Sequence, residues 1–244
     1  MSSRLPALRI PPIGFAHRGA RAHSPENTLE SFRLGLKLGA TGLESDVWLT
    51  ADGVPVLDHD GLVGSRLGRR RRIGDLDRAA LPAHIPTLGD LYAECGGAFE
   101  LSLDVKDPRA VESTVAAARE AGAADRLWLC HPDWQVVASW RAQFPDVRLV
   151  DSTRVRTMRN GPERRAAELA NAGLDAVNLH HSDWSGGLTT LFHRFGVLAF
   201  GWDAQHERVL DGLLDLGIDG VYSDHVDRMV DAILRLGTGG SSSN

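Results

Sequence analysis

Residues 15–60 read FAHRGARAHSPENTLESFRLGLKLGATGLESDVWLTADGVPVLDHD, and they hold one complete structural unit. A short apolar run ends in His17-Arg18-Gly19. A helical stretch follows at 28–38, opened by Asn27-Thr28 with Glu30 in its first turn and closed by Gly39. The run at 42–49, GLESDVWL, reads as the next strand, with two acids one residue apart. Ala51-Asp52-Gly53 then separates it from a second short run at 54–57. An Asp-Gly pair between apolar segments is a strong hairpin signal, so this strand bends back before reaching His59.

The same alternation continues outward from this stretch. Strands are expected at 13–17, 42–49, 98–105, 127–130, 147–151, 176–179, 197–201 and 220–222. Helices are expected between and after them at 28–38, 87–94, 108–121, 133–144, 162–172, 187–195, 205–216 and 226–236. Pro108 and Pro162 open helices, and Gly122, Gly173 and Gly217 close them. Strands joined by helices imply a parallel sheet covered on both faces. Eight such units in 244 residues fit an α/β fold of the (β/α)8 TIM-barrel type. The expected layout is one domain over 1–237 and a flexible tail, TGGSSSN, at 238–244. A doubly wound open sheet has the same unit order, and counting units does not show closure.

The bulk numbers narrow the function. With 43% hydrophobic and 24% charged residues the chain has the composition of an ordinary globular protein, and its formal net charge of −5 argues against a general nucleic-acid binder. The length suffices to bury a core without disulfides. Cys95 and Cys130 read as reduced thiols, which points to the cytoplasm. No window has the roughly 18 apolar residues of a membrane span, and the first residues do not read as a signal peptide.

In a barrel, chemistry collects where strands end. The strand ends here carry His17-Arg18, then Glu44 and Asp46 with Asp58-His59-Asp60 on the hairpin, then Asp104 and Lys106. After these come His131, Asp151-Ser152, Asn178 with His180-His181, Trp202-Asp203 and Ser223-Asp224. Glu44 and Asp46 are two apart on a strand and so leave the same face. Two close carboxylates repel unless a cation or proton lies between them, and Asp104 can complete an oxygen site suited to Mg²⁺ or Ca²⁺. The plain alternative is a solvated acidic strand end. His17 and His59 offer an acid and a base, against the plain alternative of buried, satisfied histidines. Arg18 and Lys106 offer positive charge to a phosphate, or else bridge the neighbouring acids.

Together these residues resemble a known family. HRG, PENT leading into a helix, E-x-D, T-x-DG-x-PV and HD stand in the order found in glycerophosphodiester phosphodiesterases. IPTLGDL, LSLDVK, the tryptophan at 202 and GIDGVYSD resemble the family's later motifs. The resemblance implies a TIM barrel that hydrolyses glycerophosphodiesters to glycerol 3-phosphate and an alcohol with one divalent cation, Mg²⁺ or Ca²⁺ and also Mn²⁺. It implies His17 and His59 as the catalytic pair and Glu44, Asp46 and Asp104 as metal ligands. Arg18, Lys106 and Trp202 would contact phosphate or substrate, and Glu26 would orient the site. The sequence departs from the family in three places. Asp104 stands where the family has Glu, the insertion after HD is cut short, and Trp202 is followed by Asp203-Ala204-Gln205.

The shortened loop contains Arg69, Arg70, Arg71 and Arg72. A solvated loop is the plain reading, and transient contact with anionic headgroups at a membrane surface is the sharper one. Otherwise the expected partner is a small phosphodiester, and the oligomeric state is not legible. Two rivals remain at this point: a lysophospholipase D or sphingomyelinase D-type phosphodiesterase, and a catalytically silent barrel that binds a phosphorylated metabolite.

Overall fold

The computed structural model describes residues 4–64 and 70–238. Arg69 and all of the expected tail except position 238 lie outside the described residues. The strands are β1 (Ile13–Ala16), β2 (Gly42–Leu49), β3 (Pro55–Leu57), β4 (Leu62–Val63), β5 (Arg71–Arg72), β6 (Glu100–Val105), β7 (Leu127–His131), β8 (Arg148–Thr153), β9 (Ala176–His180), β10 (Leu198–Trp202) and β11 (Gly220–Ser223). The helices are α1 (Leu29–Lys37), α2 (Leu88–Cys95), α3 (Val111–Glu120), α4 (Trp134–Trp140), α5 (Gly161–Asn171), α6 (Gly186–Arg194), α7 (Glu207–Asp215) and α8 (Val226–Thr238). Each expected strand and helix is present, with ends shifted by a few residues.

β1 pairs in parallel with both β2 and β11, which closes β1, β2 and β6 through β11 into an eight-stranded barrel and rules out the open sheet. β3 adds antiparallel to β2 as the Asp-Gly signal predicts, with Gly53 at φ +81° in the turn. Beyond the hairpin the shortened insertion has its own small core of Val56, Ile73, Leu76, Leu81 and Ile85, capped by the two-stranded arm β4–β5.

Alternate residues of each barrel strand point inward, so the interior fills in tiers. Ile13, Phe15, Trp128, Cys130, Val150, Ala176, Phe200 and Tyr222 form a buried apolar plug. Phe15 stacks on Tyr222 at 4.5 Å, and Trp128 meets Phe200 edge-on at 5.1 Å. The rings leave no room for neighbouring side chains: a Cβ on Gly42 would lie 2.6 Å from the Phe15 ring. The plug is the floor of the mouth, and the next inward-facing residues toward the strand ends are those with chemistry. A second, larger core packs the outer faces of the strands against the helices.

The helix starts have local causes. Thr87 and Asp90 form a reciprocal capping box at α2, and Asp133 and Ser185 cap α4 and α6. At α1 the cap is Thr28, whose hydroxyl accepts from the Ser31 N–H at 3.2 Å. Asn27 is not a cap. It sits at φ +55° with its amide oxygen accepting from Ser45 Oγ of β2 at 2.7 Å, pinning the loop after β1 to the barrel.

Candidate active site

The chain leaves β1 through Arg18 at φ +51° and Gly19 at φ +80°, where an added Cβ would press on Ser31. This turn aims the Arg18 backbone N–H at Glu44 Oε2, 2.9 Å away. His17 Nδ1 meets Asp224 Oδ1 at 2.5 Å, and its Nε2 lies 3.7 Å from Glu44 Oε2. Burial alone would lower the His17 pKa, but the Glu44 charge and the Asp224 bond outweigh it and hold it above the ordinary value. Burial would likewise raise Asp224, yet the bond and charge of His17 keep it low. Gln205 Oε1 accepts the Asp224 N–H at 2.9 Å and so fixes the acid that fixes the histidine.

β2 and β6 are in register with Asp46 opposite Asp104. Oxygens of Glu44, Asp46 and Asp104 lie within 4.8 Å of one another. Glu44 is 6% exposed and Asp46 2%. Burial, with the Asp46 and Asp104 charges beside it, pushes the Glu44 carboxyl up to about 7, and Asp104 is raised for the same reasons. Lys106 Nζ stands 2.9 Å from Asp46 Oδ1 and 3.4 Å from Asp104 Oδ2. Lys106 is thus ion-paired with the neighbouring acids, as one of the two readings of the sequence has it. The pairing leaves Asp46 Oδ2 buried without a hydrogen bond, with Arg18 Nε 3.6 Å away. Three converging carboxylates, one cation and an orphaned oxygen make an all-oxygen donor set that fits a hard divalent cation.

The other expected residues fall around this cluster. The Arg18 guanidinium bonds Glu26 at 3.1 Å, and Glu26 also takes Arg21, so the acid of PENT clamps two arginines at the rim. His59 comes in from the hairpin, about two-fifths exposed, with Nδ1 on Asp60 at 2.8 Å. A cavity of about 480 Å³ is lined by His17, Arg18, Glu44, Asp46, His59, Asp104, Lys106 and Trp202, so all of the expected site residues open onto one space.

The sequence profile of the Glycerophosphoryl diester phosphodiesterase family matches residues 17–228. The chain belongs to this family. It is 27% identical, over 92% of both chains, to "Probable glycerophosphodiester phosphodiesterase 2" of Mycobacterium tuberculosis. Among solved structures, a putative glycerophosphoryl diester phosphodiesterase from Silicibacter pomeroyi shares the fold with a TM-score of 0.83 and 24% identity over 97% of each chain. An Oleispira antarctica phosphodiesterase, solved with sn-glycerol-3-phosphate, matches 91% of this chain and 96% of its own with a TM-score of 0.79 and 21% identity.

As a member of this family the chain is a phosphoric diester hydrolase. Sequence reasoning placed Asp224 at a strand end but gave it no role. Its tie to His17 follows from β11 lying beside β1, and no local pattern predicts that. The far wall of the cavity was only partly anticipated, with Trp202 expected at the site and Ser152 and Asn178 placed at strand ends without a role. Ser152, Thr153 and Arg154 of β8 and its exit, Asn178 of β9 and Gln205 line it together with Trp202. Arg154 lies over the Trp202 indole at 5.7 Å while bonding Asp183 through Nε and Nη2. His180 is held by Asp203 and Ser182 outside the cavity lining, and His131 caps the loop before α4.

Proposed function

We propose that the chain hydrolyses glycerophosphodiesters to glycerol 3-phosphate and an alcohol at the mouth of the barrel, using one divalent cation, Mg²⁺ or Ca²⁺. The observation that carries this reading is that Glu44, Asp46 and Asp104 converge within 4.8 Å in the cavity that His17 and His59 also line. The mycobacterial relative's name and the glycerol phosphate bound by the Oleispira protein support the substrate class.

In this reading Glu44, Asp46 and Asp104 would hold the cation, which would supply positive charge against that growing on the phosphate oxygens. Asp224 and Asp60 hold the two imidazoles through Nδ1, which leaves each Nε2 to carry the proton transfer. One imidazole takes the proton of the attacking oxygen as it bonds to phosphorus. The other gives a proton to the departing alkoxide as its P–O bond breaks. Arg18 and Lys106 bear on the phosphate and Trp202 on the organic part. Glu26 keeps Arg18 at its post. The attacking oxygen belongs to water or to a neighbouring glycerol hydroxyl, and trapping a cyclic phosphate separates the two routes.

No helix among the described residues is long and apolar enough to cross a membrane. Free Cys95 and Cys130 support a reducing, cytoplasmic setting. The test is product analysis on glycerophosphocholine and lysophosphatidylcholine with Mg²⁺, Ca²⁺ and Mn²⁺, with and without chelator. Glycerol 3-phosphate formed only with cation supports the proposal. Preference for the lysolipid would move the chain to the lysophospholipase D class, and no turnover of any diester would leave a binding protein.

A further inference from the structure

Outside the cavity a second group of metal-ligating side chains meets, and the catalytic scheme does not use it. One ligand atom each from His23, His225 and Asp227 lies within 4.8 Å of the others. His23 Nε2 stands 3.1 Å from Asp227 Oδ1, and the His225 ring meets the His23 ring edge-on with centroids 6.3 Å apart. The His225 imidazole makes no hydrogen bond among the described residues. The group is open to an ion from solvent, with 35% of the His23 side chain and 51% of the Asp227 side chain exposed. None of the three lines the cavity around Glu44, Asp46 and Asp104.

The three residues come from two segments that the fold pins together. His23 lies in the turn after β1, where its N–H donates to the Ala20 carbonyl at 2.8 Å and the Ala22 N–H donates to the Asp224 carbonyl at 3.2 Å. His225 and Asp227 stand two apart where β11 passes into α8. The His225 N–H donates to Ser223 Oγ at 3.1 Å and its carbonyl accepts the Met229 N–H at 3.1 Å, so its backbone is fixed on both sides. The nearby arginines have other partners: Arg21 pairs with Glu26 and Asp224, and Arg228 donates to the Gln205 carbonyl at 3.1 Å. His180, His181 and Asp203 gather as closely, but the Ser182 N–H donates to His180 Nδ1 at 3.2 Å. That bond puts the His180 proton on Nε2, facing Asp203, and leaves no lone pair for an ion. At His23 only Nε2 is engaged among the described residues, so its proton can move to Nδ1 and free Nε2 as a ligand.

We infer that His23, His225 and Asp227 form a second metal site, for a borderline transition ion such as Zn²⁺, that clasps the turn after β1 to the start of α8. Two imidazoles and a carboxylate suit Zn²⁺, whereas Mg²⁺ and Ca²⁺ prefer an all-oxygen set such as Glu44, Asp46 and Asp104. Donors of a tetrahedral ion bound at about 2.0–2.1 Å lie about 3.3 Å from one another. His23 and Asp227 already have nearly this spacing, and rotation of their exposed side chains closes the remaining distance to His225. Water takes the fourth position. The clasp joins the two segments that carry His17 and Asp224, so the ion stiffens the support of that pair from outside the cavity. The site does not depend on which diester the chain cleaves.

The test is calorimetric titration of the full chain with Zn²⁺ in excess Ca²⁺, which needs no turnover and so stands apart from the test of hydrolysis. Wild type is expected to bind one Zn²⁺ that Ca²⁺ does not displace. Its melting temperature should rise by several degrees with Zn²⁺ at about a hundredfold excess over Kd. His225→Ala and Asp227→Asn should each weaken this binding ~10-fold or more, since even partners behind the ligands of a metal cost that much when lost. Asp46→Asn and His180→Ala should keep it. No Zn²⁺ bound in excess Ca²⁺, or binding unchanged in His225→Ala, overturns the site. Binding lost in Asp46→Asn or in His180→Ala but kept in His225→Ala would place the ion elsewhere and overturns it too. If His225→Ala fails to fold, His23→Gln decides: weakened binding supports the site and unchanged binding overturns it. Failure of wild type to cleave any diester while Zn²⁺ still binds would sink the proposed hydrolysis and leave the clasp standing.

Discussion

The barrel mouth has two unlike walls. On one side β1, β2, β6 and β11 bring His17, Glu44, Asp46, Asp104, Lys106 and Asp224 together, most of them in ion pairs and several with shifted pKa values. On the other, β8 to β10 bring hydroxyls, an amide and an indole under an arginine. The charged wall is costly to bury and its three carboxylates could hold a cation, whereas the neutral wall is cheap. The first is therefore suited to chemistry and the second to recognition, and variants on the two walls should fail in different ways.

The largest effect is expected from the imidazoles. His17→Ala and His59→Ala should each lower kcat by ~10²-fold or more, the scale for losing a general acid or base, in steady-state assays with saturating cation. Near-normal rates in either variant would remove it from the mechanism. Asp224→Asn keeps the shape but loses the charge that holds His17. It should cost about tenfold in kcat with little change in KM and shift the acid limb of the pH profile, as losses of such orienting partners do.

The charged wall should also be visible in stability. Glu44 is raised to about 7 in the folded protein from an ordinary value of 4.5. The folded state therefore binds more protons between those values, and the contribution of Glu44 to stability falls as pH rises through that window. With chelator present, Glu44→Gln should melt near wild type at pH 4.5 and a few degrees above it at pH 8, a gap that added Ca²⁺ should close by stabilising wild type. A constant gap across pH would show that Glu44 is not strained. Asp104→Glu restores a methylene and should change the Mg²⁺ to Ca²⁺ activity ratio several-fold while sparing the fold. The smallest effect concerns the arm. Arg70, Arg71 and Arg72 are exposed, and exchanging all three for Gln should weaken vesicle binding and flatten the salt dependence of kcat/KM only about two- to threefold. No change in either would leave the arm a solvated loop.

The legibility of the two walls in the sequence differed for the same reason that their chemistry does. Buried acids and histidines are rare enough at strand ends that Glu44-x-Asp46, His17 and His59 stand out, whereas a Ser and an Asn at Ser152 and Asn178 look like any strand exit. The error at Asn27 is related: an Asn before a Thr reads as a helix cap, and only the proximity of Ser45 turns it into a tether between loop and barrel. For Lys106 the sequence left open a phosphate contact or a bridge to the neighbouring acids, and its ion pairs with Asp46 and Asp104 follow from the register of β2 against β6.

The sequence by itself determined the order of strands and helices, the hairpin after β2 and the pairing of Glu44 with Asp46 on one face. Those depend on local periodicity and turn chemistry over a few residues. Tertiary structure alone decided that the sheet closes, that Asp46 faces Asp104, that Asp224 reaches His17 from 207 residues away and that Ser152 and Asn178 share a wall. Register between distant strands is set by how the apolar plug packs in the barrel, and no short stretch of chain carries that information.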